Sequence, residues 1–191
     1  MDALSALLNR RSVAKLGGAA PTPEQVEILI KAASRAADHG NLQPWRFLVI
    51  EGQALALLGQ VFVKAAQQSG EVLTQEGESR YLNMPLRAPM IITVVAKTKP
   101  HPKVPEIEQL LAAGAAAQNI LNAAHALGLG AIWRTGNFAF DPLVKSALEL
   151  ESDEQIIGFI YLGQPQMEMA PAKEPNLNEI LTFWAPKELP F

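Results

Sequence analysis

The chain contains no cysteine. A disulfide scaffold, a thiolate nucleophile and a cysteine zinc site are therefore excluded. Histidine is almost as scarce: His39, His101 and His125 are the only three. They lie far apart, without the spacing of metal ligands, so no metal site is expected. No apolar run reaches the roughly 18 residues that a membrane span needs. The start, Met1-Asp2-Ala3-Leu4, has neither a basic segment nor a long apolar stretch, and no signal peptide is expected. Charge is sparse, at 18% of residues with a formal net charge of -3. With 49% hydrophobic residues, this is the balance of a folded domain with a sizeable core. It argues against a nucleic-acid groove but leaves room for a local basic site. The expected setting is cytoplasmic, with no nucleic-acid and no membrane partner.

Several catalytic signatures are missing as well. There is no Walker sequence and no G-x-S-x-G nucleophile elbow. Gly128-Leu129-Gly130 begins like a dinucleotide fingerprint but lacks the third glycine. It also runs from helix to strand, where that motif runs from strand to helix. His125, on an alanine-rich helical stretch, reads as a satisfied core histidine. No side chain stands out as a self-sufficient catalytic group, so an enzyme built on this chain would rely on a cofactor.

What is present is a regular alternation of helices and strands. The 191 residues suit one domain, 1–191, in which 164–191 forms a C-terminal tail. Leu4, Leu7 and Leu8 mark one face of a first helix, followed by Arg10-Arg11-Ser12. That triplet reads either as cations complementing a helix C-terminus or as donors to a phosphate. Thr22-Pro23-Glu24-Gln25 opens a second helix with a capping box and a proline at its first position. Its buried face is predicted at Val26, Leu29, Ile30 and Ala33. Arg46–Ile50 reads as a strand, and 54–68 as a helix with the stripe Leu57, Leu58, Val61 and Ala65. Ser69–Met84 is polar and uneven, with a short helix near Ser79–Asn83. Met90–Ala96 is a nearly unbroken apolar run, as in a strand covered on both faces. Glu106–Leu127 is the longest helix, and its small residues Ala112–Ala117 let another backbone approach closely. A short strand at Ala131–Thr135, a helix from Asp141 through Leu150 and a strand at Gln155–Gly163 follow. The tail carries Leu181, Phe183, Trp184, Leu189 and Phe191, which need an apolar surface on this subunit or a partner.

The stretch Arg35–Phe47 concentrates hydrogen-bonding groups in a short loop between a helix and a strand, where binding groups tend to sit. By local chemistry alone Asp38 and Asn41 are turn formers and Gly40 is a helix C-cap.

Arg10-Arg11-Ser12, Asp38-His39-Gly40-Asn41-Leu42-Gln43-Pro44-Trp45-Arg46-Phe47 and Gly128–Gly136 together resemble the FMN-dependent nitroreductase family, and within it a short branch. Ile160-Tyr161-Leu162-Gly163-Gln164-Pro165 fits the same branch, so the resemblance spans Met1 to about Pro165. It implies an α+β fold of nitroreductase type: a mostly antiparallel central sheet sandwiched by helices, in an interlocked homodimer. It also implies FMN in each dimer cleft, with NADH or NADPH as electron donor. Arg10, Arg11 and Ser12 match the family's first FMN-binding segment. Arg35 and His39 match positions that reach the flavin across the dimer interface. Trp133, Arg134 and Thr135 match the segment beside the isoalloxazine ring, and a backbone N–H near Thr135-Gly136 would approach N5. No side chain is assigned a catalytic role, because the flavin carries the chemistry. The implied activity is hydride transfer from NAD(P)H through the flavin to a small oxidised acceptor such as a nitroaromatic, in ping-pong order. Dehydrogenation or dehalogenation on the same flavin, or flavin binding without turnover, remain as alternatives. Two departures stand out. Asp38-His39-Gly40 replaces a serine-rich loop common in the family, and 69–84 carries no family signature.

Overall fold

The apolar run beginning at Met90 forms the strand around which the sheet is laid. Every residue from Met90 to Ala96 is buried, as expected of a strand with both faces covered. The structure is a computed structural model that describes residues 1–168 and 170–185. In chain order the elements are α1 (Ala3–Asn9), β1 (Leu16–Gly17), α2 (Pro23–Ala33), β2 (Trp45–Glu51), α3 (Gln53–Gln68), α4 (Gln75–Leu82), β3 (Met90–Lys97), α5 (Glu106–Ala126), β4 (Gly130–Arg134), α6 (Pro142–Ala147), β5 (Glu154–Pro165) and α7 (Leu177–Ile180).

All strand pairings are antiparallel. β3 lies between β2 and β5, β4 pairs with β5, and β1 pairs with the far end of β5. Side chains alternate across the sheet with a period of two. Ile92, Val94 and Ile160 therefore meet α2 and α5, together with Leu29, Ala33 and Ile120. Ile91, Phe159 and Tyr161 face the other way, onto Phe62 of α3 and Val144 of α6. The result is the α+β sandwich with an antiparallel sheet that the family resemblance implied. Phe62 stacks on Phe138 at 4.2 Å between ring centroids and meets Phe159 edge-on at 5.9 Å.

The helix starts follow local chemistry. Thr22 and Gln25 form the full capping box on α2. Asp141 caps α6 by accepting from the Leu143 and Val144 amides. In α5 the alanines at 112, 113, 116 and 117 are buried, which seats the helix closely on the sheet.

Some expectations need correction. Leu4, Leu7 and Leu8 are 68%, 55% and 74% exposed, so the apolar face of α1 is not covered by its own chain. The buried stripe of α3 runs through Leu55, Leu58, Phe62 and Ala65, while Leu57 points to solvent. α4 starts at Gln75, earlier than the polar composition implied, because Thr74 caps it. α6 stops at Ala147, where Glu149 takes a positive φ of 54°. Gly40 is no helix C-cap: α2 ends at Ala33, and Gly40 lies in a separate 3-10 turn, His39–Asn41. In the tail, Phe183 and Trp184 are 88% and 83% exposed, and Leu189 and Phe191 lie outside the described residues.

Candidate functional site

Among the described residues, β4 is paired with a strand on one edge only. β5 takes one side, with Trp133 opposite Ile160 and Arg134 opposite Phe159. On the other side the Val13 N–H donates to the Ala131 carbonyl at 2.9 Å, which brings the segment after α1 alongside β4. The alternation of an antiparallel ladder then turns the backbone groups of Trp133 to the same free edge as those of Ala131. An unpaired edge is a template for a hydrogen-bonding partner. Thus Arg10–Ser12 and Trp133–Thr135, 121 residues or more apart in sequence, share one edge of the sheet.

Side-chain chemistry along that edge is basic and incompletely satisfied. Among the described residues, the buried side-chain nitrogens and oxygens without a hydrogen-bond partner are Arg11 Nε, Arg134 Nε, His125 Nε2 and Thr93 Oγ1. Two of these four are guanidinium nitrogens of residues matched to the flavin site. Buried donors without acceptors are uncommon in folded proteins and call for an explanation. A phosphate or a flavin carbonyl would supply the missing acceptors, so this donor set fits FMN. Arg10 is half-buried and Ser12 exposed.

Two cavities flank the edge. One, of about 200 Å³, is bordered by Arg11, Val13, His125 and Leu129 at the start of β4. The other, of about 580 Å³, opens at the end of β4 beside Thr135 and Gly136. Gly136 has φ 70° and ψ -176°, a conformation essentially restricted to glycine, so the turn after β4 requires this residue.

Trp133 contributes backbone rather than ring to the free edge. Its indole turns toward α5 and packs against the first core layer, and its Nε1–H donates to the Ile157 carbonyl at 3.3 Å. Arg134 points to the opposite face, where its guanidinium lies 5.9 Å from the Tyr161 ring centroid. Burial pushes the Tyr161 hydroxyl above its ordinary pKa, and Arg134 and Arg87 pull it back.

Arg35 and His39 do not join this edge within the subunit. Arg35 is exposed, just past α2. His39 is exposed as well, and its Nδ1 lies 2.6 Å from Glu108 Oε2 in the first turn of α5. That pair borders a different cavity, with Leu111 and Ala115. His125 sits 17 positions further along α5, or about 25 Å along its axis. His125 is not the satisfied core histidine that its helix suggested. Its Nε2 has no partner, and its pKa is lowered by burial and then by Arg11 and Arg10. Sequence reasoning also passed over Glu108, Arg80 and Arg87. Glu108 reads locally as an acid complementing a helix N-terminus, and nothing local marks the two arginines. Among the described residues there is no metal-binding cluster, and no helix is long and apolar enough to cross a membrane.

The sheet, its flanking helices and the basic free edge define an α+β domain suited to a phosphate-bearing planar cofactor. The family model described as "Nitroreductase family" matches residues 7–164, and the chain belongs to that family. It is 42% identical over 185 residues to the Escherichia coli K12 protein named "Putative NAD(P)H nitroreductase YdjA", covering 96% of this chain and 100% of that one. Among solved structures, a nitroreductase-like protein from Bacillus cereus superposes with a TM-score of 0.81 at 20% identity, covering 96% of each chain. A Desulfovibrio desulfuricans protein solved in complex with FMN gives a TM-score of 0.73 at 27% identity, over 97% of this chain and 99% of that one.

Proposed function

We propose that this protein is an FMN-dependent NAD(P)H oxidoreductase of nitroreductase type that works as a homodimer. The observation that carries the reading is the junction of Arg10–Val13 with the free edge of β4, where buried guanidinium nitrogens await acceptors. FMN supplies hydride acceptance and donation, so that electrons from NAD(P)H reach a small oxidised acceptor such as a nitroaromatic.

The protein's part is binding and electrostatics. Arg10, Arg11 and Ser12 offer charge-assisted donors to the phosphate. The backbone edge at Trp133 and the turn at Thr135-Gly136 would line the ring system, and Gly136, which carries no side chain, would let a backbone N–H approach it closely. Arg134 would place positive charge near the ring, which would favour the electron-rich state of a bound flavin. Arg35 and His39 reach the flavin of the partner subunit, with Glu108 holding the imidazole by its Nδ1. This division accords with their position away from the β4 edge of their own chain.

Dimerisation also accounts for the apolar surface. The exposed leucines of α1, together with Ile107 and Leu111 of α5, are 55–74% accessible in the single chain. A second copy would cover them, and Phe183 and Trp184, also exposed in the single chain, would pack on that partner. The lack of cysteine accords with a cytoplasmic setting. In this reading residues 1–191 act as one functional domain.

One cleft must admit NAD(P)H and the acceptor in turn. Steady-state rates should therefore give parallel double-reciprocal lines when the two are varied against each other. Intersecting lines would require both bound at once and would overturn this scheme.

A further inference from the structure

The cavity of about 580 Å³ beside Thr135 and Gly136 has a size suited to a small organic molecule. One wall is aromatic: Phe138 and Tyr81 meet edge-on at 5.1 Å between centroids. Arg80 and Arg87 also border it, and no ion pair among the described residues involves either. Its two acids are already engaged. Glu71 lies 2.9 Å and 3.0 Å from the Tyr81 hydroxyl through its two carboxylate oxygens, and that hydroxyl also accepts from Arg80. Asp141 Oδ1 accepts from two helix-capping amides. An apolar ring surface beside guanidiniums that form no ion pair is complementary to a planar molecule that carries an anion.

We propose that this cavity is the acceptor subsite and that it selects small aromatic acceptors bearing a carboxylate, held by Arg87 and Arg80 against Phe138 and Tyr81. The inference rests on the proposed function only in placing the redox centre at Thr135-Gly136. The segment 69–84, which forms one side of the cavity and has no counterpart among the flavin-binding segments, sets acceptor choice in this scheme.

The test uses the FMN-loaded enzyme with 4-nitrobenzoate and its neutral counterpart 4-nitrobenzamide. Each turnover takes a hydride from NAD(P)H and a proton from solvent, and converts the nitro group to a nitroso group and water. The expected kcat/KM favours the carboxylate by about tenfold or more, the scale of a charge-assisted contact. Arg87→Gln should remove that preference by raising the KM for 4-nitrobenzoate far more than that for 4-nitrobenzamide, and Arg87→Lys should restore part of it. Arg80→Gln should act in the same direction. Calorimetric binding of benzoate and benzamide to the same proteins reads the subsite without turnover, so it stands even if nitro reduction fails. Equal binding of benzoate and benzamide by the unaltered enzyme would overturn the proposal. So would loss of FMN from Arg87→Gln, which would place that arginine on the cofactor instead.

Discussion

The indole of Trp133 occupies the space that any side chain at residue 158 would need. A Cβ built on Gly158 would lie 2.0 Å from Trp133 Nε1 and 2.6 Å from its Cδ1. Gly158 sits on β5, one step from Ile157, whose carbonyl accepts the indole N–H. The ring is thereby locked against the sheet, and its backbone is fixed on the free edge of β4.

Gly158→Ala should therefore displace the indole, a clash that cannot be relieved by a flexible side chain. Overpacking of this kind costs about 1–3 kcal/mol. Denaturant unfolding should show that loss, and FMN affinity should fall with it because the β4 edge moves. Unchanged stability and unchanged FMN affinity would mean that the ring is free to swing away.

Arg46 and Glu154 tie β2 to the start of β5 across β3. The guanidinium meets both carboxylate oxygens at 2.6 Å, and Glu154 is 1% exposed. The Arg46 hydrogen bonds hold the Glu154 carboxyl below its ordinary pKa, against the opposing effect of burial. A depressed folded-state pKa gives stability that is full above the unfolded value of about 4.3 and is lost as pH falls through the folded value. Glu154→Gln should cost about 3 kcal/mol at neutral pH, the lower end for breaking a buried pair, because Arg46 keeps some solvent contact. It should also flatten the loss of stability below about pH 4. Chemical denaturation at pH 7 and pH 3.5 measures both effects.

The unaltered protein should sediment as a dimer that buries roughly 2,000 Å² or more. Leu8→Glu on α1 or Leu111→Glu on α5 should weaken the dimer and release FMN together, since the proposed dimer shares each cleft between its subunits. A stable, FMN-replete monomer at micromolar concentration would refute this part of the account.

Arg10→Ala should lower FMN affinity by about tenfold to a hundredfold, the worth of one charge-assisted contact. Riboflavin, which lacks the phosphate, should bind the variant and the unaltered apoprotein alike. Equal losses for both flavins would place Arg10 elsewhere than at the phosphate.

Much of the fold was legible because its signals are local. The apolar run at Met90–Ala96 and the capping box at Thr22 and Gln25 depend only on neighbours in sequence, and the structure has both. The spacing of the α1 leucines marks one helical face but does not say which chain covers it. The same local logic chose Leu57 over Phe62 on α3, because a helical period identifies a stripe without fixing its centre. The two-residue strand Leu16–Gly17 was invisible, since it exists only through pairing with β5. The free edge of β4, the Trp133–Gly158 contact and the Arg80–Arg87 cavity all arise from long-range packing. Of these, only the first had a sequence trace, and it came from a family resemblance rather than from periodicity.

The central claim is that bound FMN in this protein accepts electrons from a nicotinamide. Anaerobic mixing of the flavin-loaded dimer with NADH or NADPH, followed by the visible absorption of the flavin, tests it most directly. The account predicts rapid bleaching with at least one of the two, and recovery of colour on adding 4-nitrobenzoate. A protein that cannot be loaded with FMN, or whose bound flavin keeps its colour with both nicotinamides, would contradict it.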